Sequence, residues 1–213
     1  MPLQNRVGPD GTIFADSARG TLMGNRGGQL HDAQRRLTGR RWVSKAWIAC
    51  VLEYRDRHES IMAPGHYTQL FFLDEATALA AGHRPCALCR HADFVRFMTL
   101  WQELHGFPKR PKVAKVDRVL HEQRLDAGRL KRTFASPLGE MPSGTMVVHE
   151  SGPLLSWGNA LYPWTPSGYL APTHLPAESI VQVLTPPSVV AMFSAGYAPL
   201  LHDSARSISA TKS

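Results

Sequence analysis

Apolar residues recur at helical spacing over two stretches in the middle of this 213-residue chain, 91–105 and 113–130. The first stretch carries an aromatic stripe that predicts a helix packed on the core: Phe94, Phe97, Met98, Trp101 and Leu104. The second has a narrower apolar face, made by Val113, Val116, Leu120 and Ala127. A third, alanine-rich helix is predicted from its ends, because Asp74 suits an N-cap and Gly82 suits the residue after the last turn.

Shorter apolar runs predict strands at 47–54, 60–62, 145–149, 152–157 and 180–184, where β-branched and aromatic residues are frequent. Residues 32–37 are predicted to form one or two helical turns. Pro187 suits the start of a last helix, which Gly196 would end. We therefore predict an α+β protein with a domain of two or three strands and three helices over 1–135, a small β-rich lobe over 136–205 packed on it, and a disordered tail over 206–213.

The composition narrows the setting in which this chain works. A net charge of +7 favours a polyanionic partner, and 43% hydrophobic residues suffice for a buried core. The first residues lack the apolar stretch of a signal peptide, and no apolar run is long enough to span a bilayer. Three cysteines, two of them in C-x-x-C, do not suit a secreted disulfide framework. We expect a soluble, cytoplasmic protein with no membrane contact, whose oligomeric state the sequence leaves open.

Cys86 and Cys89 follow the glycine stop of the alanine-rich helix at the spacing of a zinc knuckle. Zinc in structural sites takes four ligands in a tetrahedron, so this pair supplies half of a site. Cys50 and His91 are the best further candidates, and His31, His58 and His66 are alternatives. A redox or free thiol pair beside a helix N-terminus is the other interpretation of these two cysteines.

The stretch EATALAAGHRPCALCR (75–90) resembles the second half of the metal-binding domain of the Ada DNA-repair family. The matching positions are Glu75, Ala76, Ala80, Ala81, Gly82, Arg84, Pro85, Cys86 and Cys89, with Phe71 and Phe72 upstream. The resemblance implies that Cys86 and Cys89 bind zinc and that Arg84 faces the DNA backbone. The family's first cysteine pair, which includes the methyl acceptor, has no counterpart here, because Arg55 and Glu59 stand near its place and Cys50 is further off.

Basic residues with interleaved tryptophans suggest a surface for nucleic acid. Trp42 and Trp47 lie within a run rich in cations: Arg35, Arg36, Arg40, Arg41 and Lys45. Cations bind phosphates and aromatic rings stack on bases, although a solvated basic edge with buried tryptophans is the alternative. Arg26 lies in a glycine-rich stretch, 19–28, that is either an anion-binding loop or a structural one. Arg84 and Arg90 flank the cysteine pair, and with Arg26 they are also predicted to contact nucleic acid.

One set of residues suggests catalysis. Asp117, His121 and Arg124 share a stripe of the second long helix, where an aspartate orients a histidine, the histidine activates water and the arginine holds a phosphate. An ordinary surface pair has the same spacing. The sequence thus predicts a zinc-dependent DNA-binding protein in DNA repair or processing, in which 1–135 is a small, Ada-like zinc-knuckle domain that faces the nucleic acid. A nuclease or glycosylase-type hydrolase is the alternative, and a redox or protein-interaction module is a third.

Overall fold

The computed structural model describes residues 1–55, 60–150 and 152–205. Over these residues the protein is a mixed α+β fold with two six-stranded sheets, which confirms the predicted fold class. The helices are α1 (Glu75–Ala80), α2 (His91–Leu104), α3 (Val113–Arg124) and α4 (Pro187–Ser194), and a 3₁₀ turn spans Leu138–Glu140. None of the described helices combines the length and the apolar composition needed to cross a membrane.

The first sheet uses segments from the first 85 residues. Its strands are β1 (Gln4–Val7), β2 (Ile13–Ala15), β3 (Leu22–Asn25), β4 (Ile48–Cys50), β5 (Leu70–Phe72) and β6 (Arg84–Pro85), in the spatial order β2-β1-β5-β3-β4-β6. β1 pairs with β5 and β4 pairs with β6 in parallel, and the other neighbours are antiparallel. Because parallel strands need a long crossover, the chain travels through β5 and α1 before it returns beside β4.

The second sheet is antiparallel throughout. Its strands are β7 (Phe134–Pro137), β8 (Met146–His149), β9 (Gly152–Trp157), β10 (Ala160–Thr165), β11 (Gly168–Tyr169) and β12 (Ile180–Val183), in the order β11-β10-β9-β8-β12-β7. The predicted boundary after residue 135 falls inside β7. The predicted disordered tail, 206–213, lies outside the described residues.

Helix α1 lies between the two sheets, and all six of its residues are buried. Ala76 and Ala80 belong to a core cluster with residues of the second sheet, whereas Ala78 and Ala81 belong to the core of the first. Small side chains allow both sheets to approach the same short helix closely. The alanines of this segment are therefore explained by packing on two sides.

A separate core joins the other three helices. Phe97, Trp101, Val116, Leu120 and Met192 are buried in it together, so α2, α3 and α4 share one apolar interior. The predicted aromatic stripe of α2 is buried except at its last position, since Leu104 is 42% exposed. Leu104 comes at the end of the helix, where the core no longer covers it.

Several predicted elements differ from the structure. Residues 32–37 form a turn closed by a bridge between His31 and Leu37, because the Asp32 carboxylate accepts from the backbone N–H groups of Gln34 and Arg36. Residues 60–62 are a turn in which Met62 has a φ of 55°. Helix α3 ends at Arg124 instead of 130, since Leu125 is extended and Asp126 accepts from the N–H of Leu130.

Candidate metal centre and basic cleft

Parallel pairing of two short strands brings the three cysteines together. Ala49 in β4 lies opposite Pro85 in β6, and the N–H of Cys86 donates to the carbonyl of Ala49 at 2.9 Å. Cys50 ends its strand beside the start of the cysteine knuckle as a result. The sulfurs of Cys50, Cys86 and Cys89 lie within 4.8 Å of one another, and they are the one cluster of metal-ligating side chains among the described residues.

The separations of the sulfurs suit a tetrahedral ion. A Zn–S bond of about 2.3 Å requires sulfurs about 3.8 Å apart, so shifts of about 1 Å or less would close the three around zinc. The Sγ of Cys86 also accepts from the N–H of Leu88 at 3.4 Å, a contact that favours the thiolate. The residues thus fit a soft divalent cation as three of its four ligands, in agreement with the zinc-knuckle spacing of Cys86 and Cys89.

The protonation of the three sulfurs is unequal. A hydrogen bond from Cys50 lowers the pKa of Cys86 to about 5, and the same contact, followed by burial, raises the pKa of Cys50 well above its usual value. Burial raises the pKa of Cys89. The cluster therefore holds one thiolate near neutral pH, and a bound cation would draw the remaining protons off.

The histidines proposed as further ligands lie elsewhere. His91 is the exposed first residue of α2, and its Nδ1 contacts the carbonyl of Ala87 at 3.0 Å. His31 is buried with Nδ1 on the Thr68 hydroxyl, at 2.7 Å. His66 is not part of the described cluster, and His58 lies outside the described residues. The prediction of Cys50 at the site agrees with the geometry, whereas the prediction of His91 does not.

Two arginines predicted to contact DNA are buried in ion pairs. Arg84 donates Nε and Nη2 to the two carboxylate oxygens of Asp117, at 2.7 and 3.0 Å. Arg90 pairs with Glu75 at 2.8 Å and with Asp93 at 2.8 Å. Because both guanidinium groups are enclosed and neutralised by carboxylates, they hold α1, β6, α2 and α3 together and do not present themselves to a phosphate backbone. This corrects the sequence prediction for Arg84 and Arg90.

The pairing of Asp117 also changes the predicted catalytic set. Its carboxylate is held by Arg84, so it does not orient His121. Instead the Nη2 of Arg124 lies 2.8 Å from the Nδ1 of His121. A guanidinium group can only donate, so Nδ1 accepts and the proton of the neutral ring is on Nε2. Burial first, then the charges of Arg124 and Lys45, lower the pKa of His121 to about 4, so the ring is neutral near pH 7.

His121 is thereby a hydrogen-bond donor. A histidine that activates water must accept a proton on a free ring nitrogen, and the free nitrogen here, Nε2, already carries one. Nε2 makes no hydrogen bond to the described residues, and the ring lines an open cleft. Such a group suits contact with an oxygen acceptor of a ligand, which corrects the predicted general-base role.

The glycine-rich stretch is structural. It contains β3, the strand between β5 and β4 in the first sheet. A side chain at Gly24 would overlap the carbonyl oxygen of Ile48 and lie 2.9 Å from the Phe72 ring, so glycine there permits close approach of strands. Arg26, just after β3, is 2% exposed and donates to the carbonyl of Gly11 at 2.8 Å. Arg26 is therefore buried, and its prediction as a surface contact for nucleic acid is wrong.

Trp47 is covered by two of these buried cations. The guanidinium carbons of Arg26 and Arg124 lie 3.9 and 3.8 Å from its ring centroid. Trp42 lies half-buried beside it, with ring centroids 6.1 Å apart, and makes a T-shaped contact with the ring of His121. Trp47 thus belongs to the interior, as the alternative interpretation of the basic run held, whereas Trp42 reaches the surface.

A cleft of about 550 Å³ opens at Trp42 and His121, and we call it the basic cleft. Its wall also contains Arg129 and Arg132, together with Glu122 and Asp126. Arg41 lies beside it, because its Nη1 donates to the carbonyl of Arg129 at 2.8 Å. Lys45 is near enough for its charge to act on His121. Arg129 and Arg132 therefore share the cleft with the partly buried ring of Trp42, and two further exposed cations, Arg41 and Lys45, lie close to it.

The other predicted phosphate contacts remain at the surface. Arg35, Arg36 and Arg40 are exposed, and Arg36 makes an exposed ion pair with Asp32 at 3.0 Å. Arg129 and Arg132, which sequence reasoning did not select, stand in the segment after α3. The sequence does show an excess of basic residues between 109 and 132. Which of them share one surface of the protein depends on the fold, so this excess alone does not identify Arg129 and Arg132.

No protein-family model, no curated protein and no solved structure matches this chain. The resemblance to the metal-binding domain of the Ada family therefore rests on the motif residues at 71–90.

Proposed function

We propose that this protein binds zinc through Cys50, Cys86 and Cys89 and binds nucleic acid, DNA in particular, through the basic cleft, in DNA repair or processing. The observation that carries the proposal is that Arg129 and Arg132 line one cleft with the half-buried Trp42, with the exposed Arg41 and Lys45 close by. Cations supply sequence-independent affinity for phosphates, and an accessible indole offers a stacking surface to a base. The resemblance of 71–90 to the Ada family supports DNA repair as the setting.

Three converging sulfurs favour a metal centre over a redox pair. A C-x-x-C redox couple needs two cysteines, whereas here a third, Cys50, comes from a strand some 36 positions earlier and lies within the same 4.8 Å group. All three thiols are free of disulfides. Thiolate ligands select soft cations, and zinc is the one that takes tetrahedral thiolate sites without redox chemistry.

The metal and its ligands are tested by elemental analysis of purified wild type, Cys50→Ser and His91→Ala. We expect about one zinc per chain in the wild type and in His91→Ala, because His91 lies outside the cysteine cluster. Cys50→Ser should weaken zinc binding by more than about 100-fold, beyond the 10–100-fold typical of a lost outer-shell partner. Equal zinc in Cys50→Ser and the wild type would contradict the three-sulfur site, and a Cys86–Cys89 disulfide without metal would favour the redox module.

Nucleic-acid binding is tested by the salt dependence of affinity for single-stranded and duplex DNA. The logarithm of the binding constant should fall linearly with the logarithm of salt concentration, by about 0.7 per phosphate contact on single strands and about 0.9 on duplex. Arg129→Gln and Arg132→Gln should each lower that slope by roughly one contact. Arg110→Gln, an exposed arginine outside the cleft, is the matched control and should leave it unchanged.

The same samples decide between binding and hydrolysis. The donor tautomer of His121 favours binding, so we expect no turnover of plain or damaged DNA. Cleavage that disappears in a folded His121→Ala variant would favour the hydrolase instead. Absence of salt-sensitive affinity for any of the DNA forms would contradict the proposed function.

A further inference from the structure

Four cationic side chains line a small cavity that adjoins the basic cleft. Arg26, Arg41, Arg124 and Lys131 border it, and Asp10 is the one carboxylate in its lining. Trp42 and Leu125 line both the cavity and the cleft, so the two spaces are neighbours. The cations come from four separate segments, which the fold concentrates at one place.

The charges of these cations are only partly compensated. Arg124 donates to the carbonyls of Gly82 and Lys45 at 2.7 and 2.8 Å, and Lys131 donates to the carbonyl of Ala80. Carbonyl dipoles, some of them at the C-terminal end of α1, satisfy hydrogen bonds and attract cations but carry no net charge. The pKa of Lys131 is lowered to about 7, mainly by burial and also by the neighbouring cations Arg124 and Arg26. Asp10 acts in the opposite direction.

A donor also remains without a partner. Arg124 is 1% exposed, and its buried Nε makes no hydrogen bond to the described residues. An unpaired buried donor on a charged group is costly, and an anion in the cavity would offset the clustered positive charge. The lining therefore suits a negatively charged ligand.

We propose that this cavity receives an anionic oxygen of a terminal phosphate on a nucleic-acid strand, an inference that rests on the proposed function. The cavity holds about 10 Å³, which is room for about one water-sized group. An internal phosphodiester is flanked by a sugar on each side, whereas a terminal phosphate presents three unesterified oxygens and a second negative charge. One oxygen enters the cavity, and the remaining oxygens and the terminal nucleotide occupy the cleft beside Trp42 and the Nε2–H of His121.

The test compares one single-stranded oligonucleotide carrying a 5′-phosphate, a 3′-phosphate or no terminal phosphate, by fluorescence anisotropy at constant ionic strength. We expect one of the phosphorylated forms to bind at least 10-fold more tightly than the unphosphorylated form. Inorganic phosphate should compete away this advantage, and chloride at the same ionic strength should not.

Two variants connect the advantage to the cavity. Lys131→Gln removes the cation and keeps much of the side-chain stem, and Arg41→Gln changes a residue that is exposed. Both should lose most of the preference for a terminal phosphate. Lys109→Gln makes the same charge change as Lys131→Gln at an exposed loop position and should keep the preference. Circular dichroism melts of all variants identify any that fail to fold.

The outcomes separate this site from the proposed function. If all three oligonucleotides bind equally, or if the preference survives in both Lys131→Gln and Arg41→Gln, the cavity is not a phosphate site, while DNA binding through the cleft stands. If chloride competes as well as phosphate, the cavity holds a small inorganic anion and the proposal fails. Inorganic phosphate could also bind in a Lys131-dependent manner while no oligonucleotide binds. The cavity would then be a site for free phosphate, and both the terminal-phosphate proposal and the proposed function would fail.

Discussion

An arginine in a basic chain can face a phosphate outside or a carboxylate inside, and Arg84 does the latter. Its local sequence, Arg-Pro-Cys, gives no sign of the choice, because its partner Asp117 lies 33 positions away. Local motifs predicted Cys86 and Cys89 in one turn, whereas the partners of Arg84, Arg90 and Arg26 depend on the fold. Residue type was therefore predictable here and residue environment was not.

Breaking the Arg84–Asp117 pair should be costly. Arg84→Met leaves Asp117 as a buried, unpaired carboxylate, so we expect a loss of about 3–5 kcal/mol in the free energy of unfolding, measured by urea denaturation. Arg84→Met combined with Asp117→Leu should recover much of the loss, because no isolated charge remains. Arg36→Met is the control, since its ion pair with Asp32 is on the surface with the arginine side chain 74% exposed. It should cost less than about 1 kcal/mol.

At the scale of elements, helix ends were more predictable than strands. Asp74 caps α1 by accepting from the N–H of Thr77 at 2.9 Å, and Gly82 and Gly196 follow α1 and α4 as predicted. These signals are local, so one sequence contains them. Strands such as β6, with two residues, and β2, with three, are too short to show an alternating pattern. Pairing with distant segments defines them instead.

Gly82 and Gly196 occupy the same motif with different surroundings. In both, the N–H of the next residue returns to a carbonyl five positions earlier, His83 to Ala78 and Tyr197 to Met192, both at 2.9 Å. Their φ angles are +87° and +91°. A Cβ on Gly82 would overlap the Cδ of Arg124 and lie 2.9 Å from its Cβ, whereas a Cβ on Gly196 would have nothing within 4 Å.

Alanine at the two glycines should separate backbone strain from steric conflict. Gly196→Ala should cost about 1–2 kcal/mol, the penalty for a side chain in the left-handed region. Gly82→Ala should cost more and should also disturb Arg124, so the tryptophan fluorescence of the native state should change with it. Equal losses of unfolding free energy in the two variants, without a spectral change, would show that the Arg124 side chain makes no steric conflict with a Cβ at position 82.

On the scale of the whole molecule, the α+β class followed from patterns along the chain, but the meeting of distant segments did not. The cysteine cluster joins 50 to 86, and the cavity joins loops near 11, 41, 81 and 131. Composition gave the sign of the charge, and the fold decided that much of it lies inside. A basic interior built from long-range contacts leaves no periodic signal in one sequence.

The buried cations and neutral histidines also make stability depend on pH. The pKa of His121 is lowered to about 4 by burial, Arg124 and Lys45, and that of His83 is lowered by burial and by Arg26 and Arg124. The pKa of a histidine in the unfolded chain is about 6.5. At pH values between this and the lower pKa values of the folded state, the unfolded chain binds more protons than the folded one, so the free energy of unfolding falls as pH decreases. Lys131 acts in the same sense between about 7 and 10.5, where stability rises with pH.

The contribution of His121 can be isolated by comparing urea denaturation at pH 7 and pH 5. The wild type should be less stable at pH 5, and His121→Gln should show a smaller difference between the two pH values, because glutamine does not titrate. His174→Gln, which changes an exposed histidine in the second half of the chain, is the control and should keep the wild-type difference. An undiminished pH dependence in His121→Gln would mean that this ring takes up its proton in the folded state as readily as in the unfolded one, and its assignment as a neutral donor in the basic cleft would have to be abandoned.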